Sequence, residues 1–548
     1  MVVPSTPTSP ASAPSAWAPL RERVFAVLWL ANLISSIGGW MFNVGAGWLM
    51  TTLNPSPFMV SLVQTANLLP VFLFALPAGA MGDVFDRRRL LVIMQWLLVA
   101  VNALFTVLVW RQGVTPAILL VFTFLVGVGS ALMSPAWQAI VPQLVSRENL
   151  QSGIALNSVG MNVARAIGPA LGGFLITVLG LTWPFLLNTL SFFAVIAALL
   201  WWRPPTGPAR PLPAEHLLAA MKTGLHYARE SPALKSTLWR ALGFFPFSSA
   251  YWALLPLIAR EHLHGGPGLY GILLGAIGAG AVGGALVLPA MKRRLGIERL
   301  VILGSLMTAA SLVLFGLVPR VPVALAASLM AGAAWIFMLS SFNVSAQLAL
   351  PEWVRARGLA VFQMVFFGAM AAGSLLWGRV AGEYGLAVAL LAAGIGLALA
   401  SALTFRARLN LGEALDLRPS GHWEEPVVAA EHDRGPVMVS ITYQVAEPAW
   451  EEFLARMDAL GASRRRDGAF SWGVYQDGAQ SERFREVFFI GSWLEHLRQH
   501  ERVTETEHQL QDAIRALLVS GTAPEVEHWL AGDPHLHEPA PDAAHRDA

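Results

Sequence analysis

No cysteine occurs in the 548 residues of the chain, and only 13% of them are charged. The first absence excludes a disulfide framework, a thiolate nucleophile and a Cys-ligated metal. The second excludes one water-soluble enzyme of this length, because soluble domains carry about a quarter charged residues. The scarcity is also uneven. Residues 1–405 hold 23 Lys and Arg against 10 acids, a net of +13, whereas residues 406–548 hold 14 Arg against 25 acids, a net of −11. Residues 1–20 lack the basic start and small-residue cleavage site of a signal peptide. They are expected to be a disordered tail, as are residues 533–548.

Long apolar runs fill the charge-poor part. A bilayer core of about 30 Å takes roughly 20 apolar residues per helix. Breaks at charges, Pro and Gly leave twelve runs, near 24–50, 58–81, 90–110, 115–137, 153–179, 183–202, 236–258, 268–291, 299–318, 321–346, 358–382 and 386–405. The predicted halves are 21–202 and 236–405. Between them, 203–235 forms a linker whose stretch AEHLLAAMKTGLHYARE is predicted to lie as an amphipathic helix at the lipid interface. With the N-terminus inside, seventeen loop Lys and Arg fall on the inner side, against Arg111, Arg260, Arg320 and Arg379 outside. The positive-inside rule therefore places both termini in the cytoplasm of a multi-pass inner-membrane protein.

A shift of 205 residues lays Gly79 on Gly284, Arg88 on Arg293, Arg89 on Arg294, Gly153 on Gly358, Gly168 on Gly373 and Gly173 on Gly378. Two duplicated six-helix halves with a pathway between them are the architecture of an alternating-access transporter.

Three sets of residues carry chemistry. After the second run stand Gly79, Asp83, Asp86, Arg87, Arg88 and Arg89. The glycine permits close helix approach, and the acids can cap a helix or pair with arginine as a conformational latch; the three arginines serve equally as a topological anchor. The fifth run contains Arg165, then Gly168, Pro169, Gly172 and Gly173, a kinked, tightly packing segment suited to a gate. Arg165 stands well inside the span. There an arginine costs roughly 2.5–3.5 kcal/mol on insertion scales and is a functional candidate by default, or else a structural partner of a carbonyl. The amides Asn32, Asn43, Gln64, Asn67, Asn157, Asn162, Asn343 and Gln347 either line a substrate pathway or bond helices to one another. As a set they suggest an amphipathic or zwitterionic small molecule. No acid lies at mid-membrane, so no proton-coupling carboxylate is visible.

The segment Gly79-Ala-Met-Gly-Asp83 with its basic cluster, and the Gly168-Pro169 motif, resemble the loop signature and the exporter motif of the major facilitator superfamily. Val84 stands where many members carry Arg, and TFLVGVGSAL in the fourth run lacks their arginine. Runs such as GGWMFNVGAGWLMT and PVFLFALPAGAMGD are similar to the branch of enterobactin exporters and macrolide-efflux proteins. The resemblance implies an all-α membrane protein with twelve transmembrane helices in the major facilitator fold. It also implies proton-driven export of a siderophore-like compound, drug or metabolite.

Residues 406–432 read as a linker and 433–532 as a compact domain. VMVSITYQV, AFSWGVYQD, FREVFFIGSW and VEHWL alternate as strands, and PAWEEFLARMDAL and LEHLRQHERVTETEHQLQDAIRALL are periodic as helices. The order βαββαβ predicts an α+β ferredoxin-like domain. It resembles domains of the antibiotic-biosynthesis-monooxygenase type, which implies a homodimer paired through the sheets. His496 and His500 stand at i and i+4, a chelating spacing, with Trp472, Tyr475 and His508 as candidate neighbours. The charged residues around them favour a solvated helix face, so neither metal nor cofactor is expected, and no catalytic residue is assigned. Arg464, Arg465 and Arg466 are expected to pair inside this acidic domain and not to bind nucleic acid. The reading is a secondary transporter whose partners are a small-molecule substrate and the lipid bilayer. The alternatives are a facilitator that imports a solute or flips a lipid, and a bifunctional protein with a monooxygenase-like tail.

Overall fold

The computed structural model describes residues 17–84, 86–203, 217–409, 416–418, 420 and 435–531. Residues 1–16 of the N-terminal tail, most of the linker 406–432 and residues 532–548 lie outside these, whereas Ala18–Arg21, at the end of the expected tail, form a 3-10 turn. The chain divides into two compact units. The first comprises Met1–Met221, Ser236–Ala346 and Leu359–Asn410, and the second comprises Lys222–Lys235, Gln347–Gly358 and Leu411–Ala548.

The first unit is helical. Its first half contains α1 (Arg23–Leu53), α2 (Pro57–Val84), α3 (Arg87–Trp110), α4 (Pro116–Ile140), α5 (Leu150–Leu179) and α6 (Thr182–Trp201). After α7 (Leu217–Glu230), the second half runs through α8 (Pro232–Leu257), α9 (Pro267–Leu317), α10 (Val321–Leu348), α11 (Arg355–Tyr384) and α12 (Leu386–Thr404). Among the described residues eleven helices are long and apolar enough to cross a membrane. One of them, α9, has 51 residues, about 76 Å at 1.5 Å per residue, more than twice a bilayer core. Gly296 breaks it with φ +73°, a left-handed conformation open to glycine. It therefore supplies two spans, 267–295 and 297–317, and the total is twelve.

The duplication is geometric as well as sequential. Gly180 (φ +98°) and Gly385 (φ +89°), 205 positions apart, make the same left-handed turn between α5 and α6 and between α11 and α12. A Cβ on Gly168 would meet Trp40 Cβ at 2.6 Å and the Ile37 carbonyl at 3.0 Å on α1. A Cβ on Gly373 would meet the Pro246 backbone and Ser249 on α8, the equivalent helix of the second half. End-capping is conserved in kind but not in residue. Arg88 donates to the Leu199 and Leu200 carbonyls that end α6, at 2.7 and 2.8 Å. In the second half Arg240, from α8, donates to Ala407 and Phe405 beyond α12 and pairs with Glu298 at 2.5 Å. Cations at helix C-termini satisfy orphan carbonyls and the dipole together.

The second unit contains β1 (Val437–Gln444), α13 (Trp450–Arg466), β2 (Ser471–Gln476), β3 (Arg483–Ile490), α14 (Trp493–Arg502), α15 (Glu505–Arg515) and β4 (Glu525–Leu530). The antiparallel sheet has the order β2-β3-β1-β4, the ferredoxin-like arrangement. Val437, Val439, Ile441, Phe484, Phe488 and Ile490 face Phe453, Met457 and Leu460 of α13 to form its core. The single long helix expected after β3 is two helices. Thr504 caps α15 in a capping box with Glu507, which stops α14 at Arg502.

A further correction concerns α7. The sequence lays this helix along the lipid surface; the structure buries Tyr227 to 1% exposure in the second unit. The Tyr227 hydroxyl donates to the Ala349 carbonyl at 3.1 Å, its ring meets Trp353 edge-on at 5.9 Å, and the Arg466 guanidinium lies 5.9 Å from the ring. The arginine cluster of α13 pairs internally, as expected. Arg464 bonds the fully buried Glu486 at 3.2 Å, Arg465 lies over Trp472, and Arg466 bonds Asp467 at 3.1 Å and Glu507 at 2.5 Å. One guanidinium balances only one of those two carboxylates. Burial and the Asp467 charge therefore push the Glu507 carboxyl up, to about 8. The unfolded chain loses this proton near 4.5, so between pH 4.5 and 8 it binds fewer protons than the folded domain and stability falls as pH rises. The slope is on the order of 1 kcal/mol per pH unit. Thermal unfolding of the purified protein at pH 5.5 and 7.5 should show the decline, and Glu507→Gln should flatten it.

Candidate functional site

A cavity of about 520 Å³ opens between the two halves of the first unit. From the first half, α1, α2, α4 and α5 line it with Trp40, Asn43, Gln64, Asn67, Ser134, Gln138 and Arg165. From the second, α8, the first span of α9, α10 and α11 contribute Trp252, Tyr270, Trp335, Asn343, Gln363 and Phe366. No described residue of α3, α6, the second span of α9 or α12 reaches it. The lining thus draws on the same four positions of each half.

Among the described lining residues Arg165 is the only charged one. Its guanidinium carbon lies 5.7 Å from the Trp40 ring centroid. Its Nε and Nη1 are buried and have no hydrogen-bond partner among the described residues, and neither does the buried Trp335 Nε1. Unpaired buried donors cost about 1–3 kcal/mol each, more when charged. A ligand that brings anionic oxygens recovers that cost. Around this cation stand an amide pair, Asn67 Nδ2 donating to Asn43 Oδ1 at 2.9 Å, and an aromatic wall. In the wall Trp252 packs on Trp335 at 5.3 Å and on Trp40 at 6.4 Å, and Trp335 on Phe366 at 6.1 Å. Donors on one side and π-faces on the other suit a small amphipathic anion.

Of the residues singled out in the sequence, Asn43, Gln64, Asn67, Arg165 and Asn343 converge on the cavity. Asn32, Asn157, Asn162 and Gln347 do not line it. Asn162 donates to the Ser158 carbonyl of its own helix at 2.9 Å, and Gln347 belongs to the second unit. The tryptophans were missed. With 20 in the chain, mid-span indoles are hard to tell from packing, and their mid-span position was the available signal.

The exporter motif is where the halves meet. A Cβ on Gly172 would touch Met41 Cα of α1 at 3.0 Å, and one on Gly173 would meet the Pro267 carbonyl at 2.6 Å and Gly271 Cα at 2.9 Å, across on α9. The Pro169 carbonyl lies 2.5 Å from where a Gly271 Cβ would stand. Further contacts between the halves gather at the same end of the bundle, where α1 finishes: Arg260 donates to the Thr51 carbonyl, Trp48 stacks on Tyr270 at 6.4 Å, and Gly378 of α11 abuts Ser61 of α2. The latch cluster behaves differently. Asp86 accepts from Arg89 N at 2.7 Å as the N-cap of α3, and Arg88 caps α6, so both act within one half. The side chains at Gly79 and Asp83 lie outside the described residues.

The histidine pair of the second unit is also corrected. His496 is fully buried, not on a solvated face. Its neighbours are His500, with Nε2 atoms 3.2 Å apart, and His528 of β4, with ring centroids 4.7 Å apart. Burial, then His500 and His528, push the His496 pKa down to about 3. His508 instead reaches Asp512 at 3.3 Å, and Trp472 donates to Glu486 at 3.0 Å.

Twelve spans in two repeated halves enclosing a central cavity define a membrane transporter of the major facilitator fold. Residues 14–535 match the family described as transmembrane secretion effector, and the chain belongs to that family. It is 25% identical over 288 residues to the staphyloferrin A transporter of Staphylococcus aureus, covering 52% of this chain and 71% of that one. It is also 25% identical over 303 residues to the enterobactin exporter EntS of Escherichia coli, covering 54% and 70%. Solved structures confirm the fold alone. A bacterial homologue of the human lysosomal transporter Spinster, in an inward-facing conformation, superposes with TM-score 0.55 at 16% identity over 71% of this chain and 97% of that one. The nucleoside transporter NupG does so with 0.58 at 11% identity over 71% and 99%.

Proposed function

We propose that the protein exports a small, amphipathic, anionic organic molecule of the siderophore-like, drug or metabolite class by alternating access, using the proton-motive force. The observation that carries this reading is Arg165, the one charge among the described lining residues, whose buried donors have no partner among them, in an amide- and aromatic-lined cavity between the halves. Of the two bacterial relatives, one is named a transporter and the other an exporter, which supports the direction proposed. Among the described lining residues there is no carboxylate to carry a coupling proton. An anion needs none: a potential negative inside drives each exported charge with about 2.3 kcal/mol per 100 mV. Vesicles of defined orientation, loaded with a panel of anionic, neutral and cationic amphiphiles, test the proposal. Anions should move outward, and valinomycin with potassium should slow them more than nigericin does. Accumulation in intact cells would instead make the protein an importing facilitator, and selective movement of cations would remove the role given to Arg165.

The C-terminal domain is read as the dimerising part. On the sheet face away from the helices, register aligns Phe489, Met438 and Trp529 in one row across β3, β1 and β4. Trp529 is 55% exposed, and Tyr475 on the same face is 63% exposed. Such a row suits a second copy of the same sheet.

A further inference from the structure

The cavity does not account for the three histidines of the second unit. His496 and His500 stand one turn apart on α14, and His528 reaches them from the edge strand β4. Register places His528 opposite Val439, a core residue, so its side chain faces the helices. One nitrogen from each ring can be chosen so that all three lie within 4.8 Å of one another. Zinc binds imidazole nitrogen at about 2.0–2.1 Å, which sets two nitrogens of a tetrahedral site about 3.3 Å apart. The His496 and His500 Nε2 atoms, at 3.2 Å, already have that spacing. Trp493 packs against His496 at 5.3 Å and edge-on to His528 at 5.9 Å, closing one side of the cluster with an apolar wall. His528 is exposed, which leaves an entry path and room for a fourth ligand.

We propose that His496, His500 and His528 form a binding site for a divalent first-row transition-metal ion of the zinc type, preferring imidazole donors. Two ligands from one helix and one from a strand would pin α14 to β4. Arg502, at the end of α14, stacks at 4.1 Å on Trp353 in the segment joining α10 to α11. An ion at the histidines thus acts on the helix that touches this connection.

The test uses the full chain in detergent, purified through a tag without histidine and stripped by a chelator. His535, His537 and His545 of the C-terminal tail are replaced by Asn in the background, so that they offer no competing site. Zinc is titrated against a chromophoric chelator, and cobalt is followed by its visible ligand-field bands. One ion per chain is expected, with a tetrahedral cobalt spectrum. His528→Asn, at an exposed position, should weaken binding by about 100-fold or more, since losing even an outer-shell partner of a ligand costs about 10- to 100-fold. His500→Asn should do the same, while His508→Asn should leave affinity unchanged. No stoichiometric binding in the parent would show a hydrogen-bonded histidine cluster only and overturn the proposal. So would binding that survives His528→Asn and His500→Asn together.

Discussion

Replacing Arg165 by glutamine should weaken binding of the anionic substrate by roughly 10- to 150-fold. That range corresponds to losing charge-assisted hydrogen bonds of about 1.5–3 kcal/mol. Transport should fall by at least as much if, as proposed, the same cation accompanies the anion through the transport cycle. The guanidinium is buried, held over Trp40 and without a hydrogen-bond partner at Nε and Nη1 among the described residues, so an anionic ligand would relieve the cost of that burial. Arg165→Lys keeps the charge but loses the planar fork, and should recover only part of the affinity. Binding is measured by quenching of cavity tryptophan fluorescence and transport by initial rates in vesicles. A purely structural arginine behaves differently. Its removal would lower the melting temperature and leave substrate affinity intact, whereas removing an unpaired buried cation should leave the melting temperature unchanged or raised.

The second large effect is expected at the crossing of α5 and α9. Gly173→Leu places a side chain where even a Cβ would stand 2.6 Å from the Pro267 carbonyl. Overpacking of this kind costs about 1–3 kcal/mol. Here the halves can relieve it by parting at that end, so the cost becomes a shift of the conformational equilibrium of roughly 5- to 150-fold. The cavity should open at the end where α1 finishes, and turnover should nearly stop while the substrate still binds. The cysteine-free chain supplies its own background for the measurement. A single Asn43→Cys probe in the cavity wall should react faster with an impermeant maleimide from that end once Gly173→Leu is added. Unchanged labelling with normal transport would show that the glycine contact is ordinary packing.

Much of this was legible in the sequence for a physical reason. Hydrophobic run length reports spans directly, and the 205-residue offset reports the repeat, because glycines at close helix crossings such as Gly168 and Gly373 admit no side chain. The four strands of the tail were legible by alternation. The cavity was legible only in part. Asn43, Gln64, Asn67, Arg165 and Asn343 are polar in apolar helices and advertise themselves, but Trp40, Trp252 and Trp335 look like core. Asn162 shows the opposite failure, since its amide bonds its own helix and its composition cannot say so. His528 was invisible because contact between β4 and α14 is long-range, and the break at Thr504 was hidden inside a continuous helical period although its T-x-x-E pattern was present.

Tyr227 and Trp353, held in the second unit, lie in segments that lead directly into α8, α10 and α11. All three spans belong to the same half. Duplication made the halves alike in helices, but this attachment makes them unlike as moving bodies. One half is joined through three spans to the folded second unit, and the pairing of two such domains proposed above would moor that half. In such a dimer the other half, bearing Arg165, would be the side free to swing.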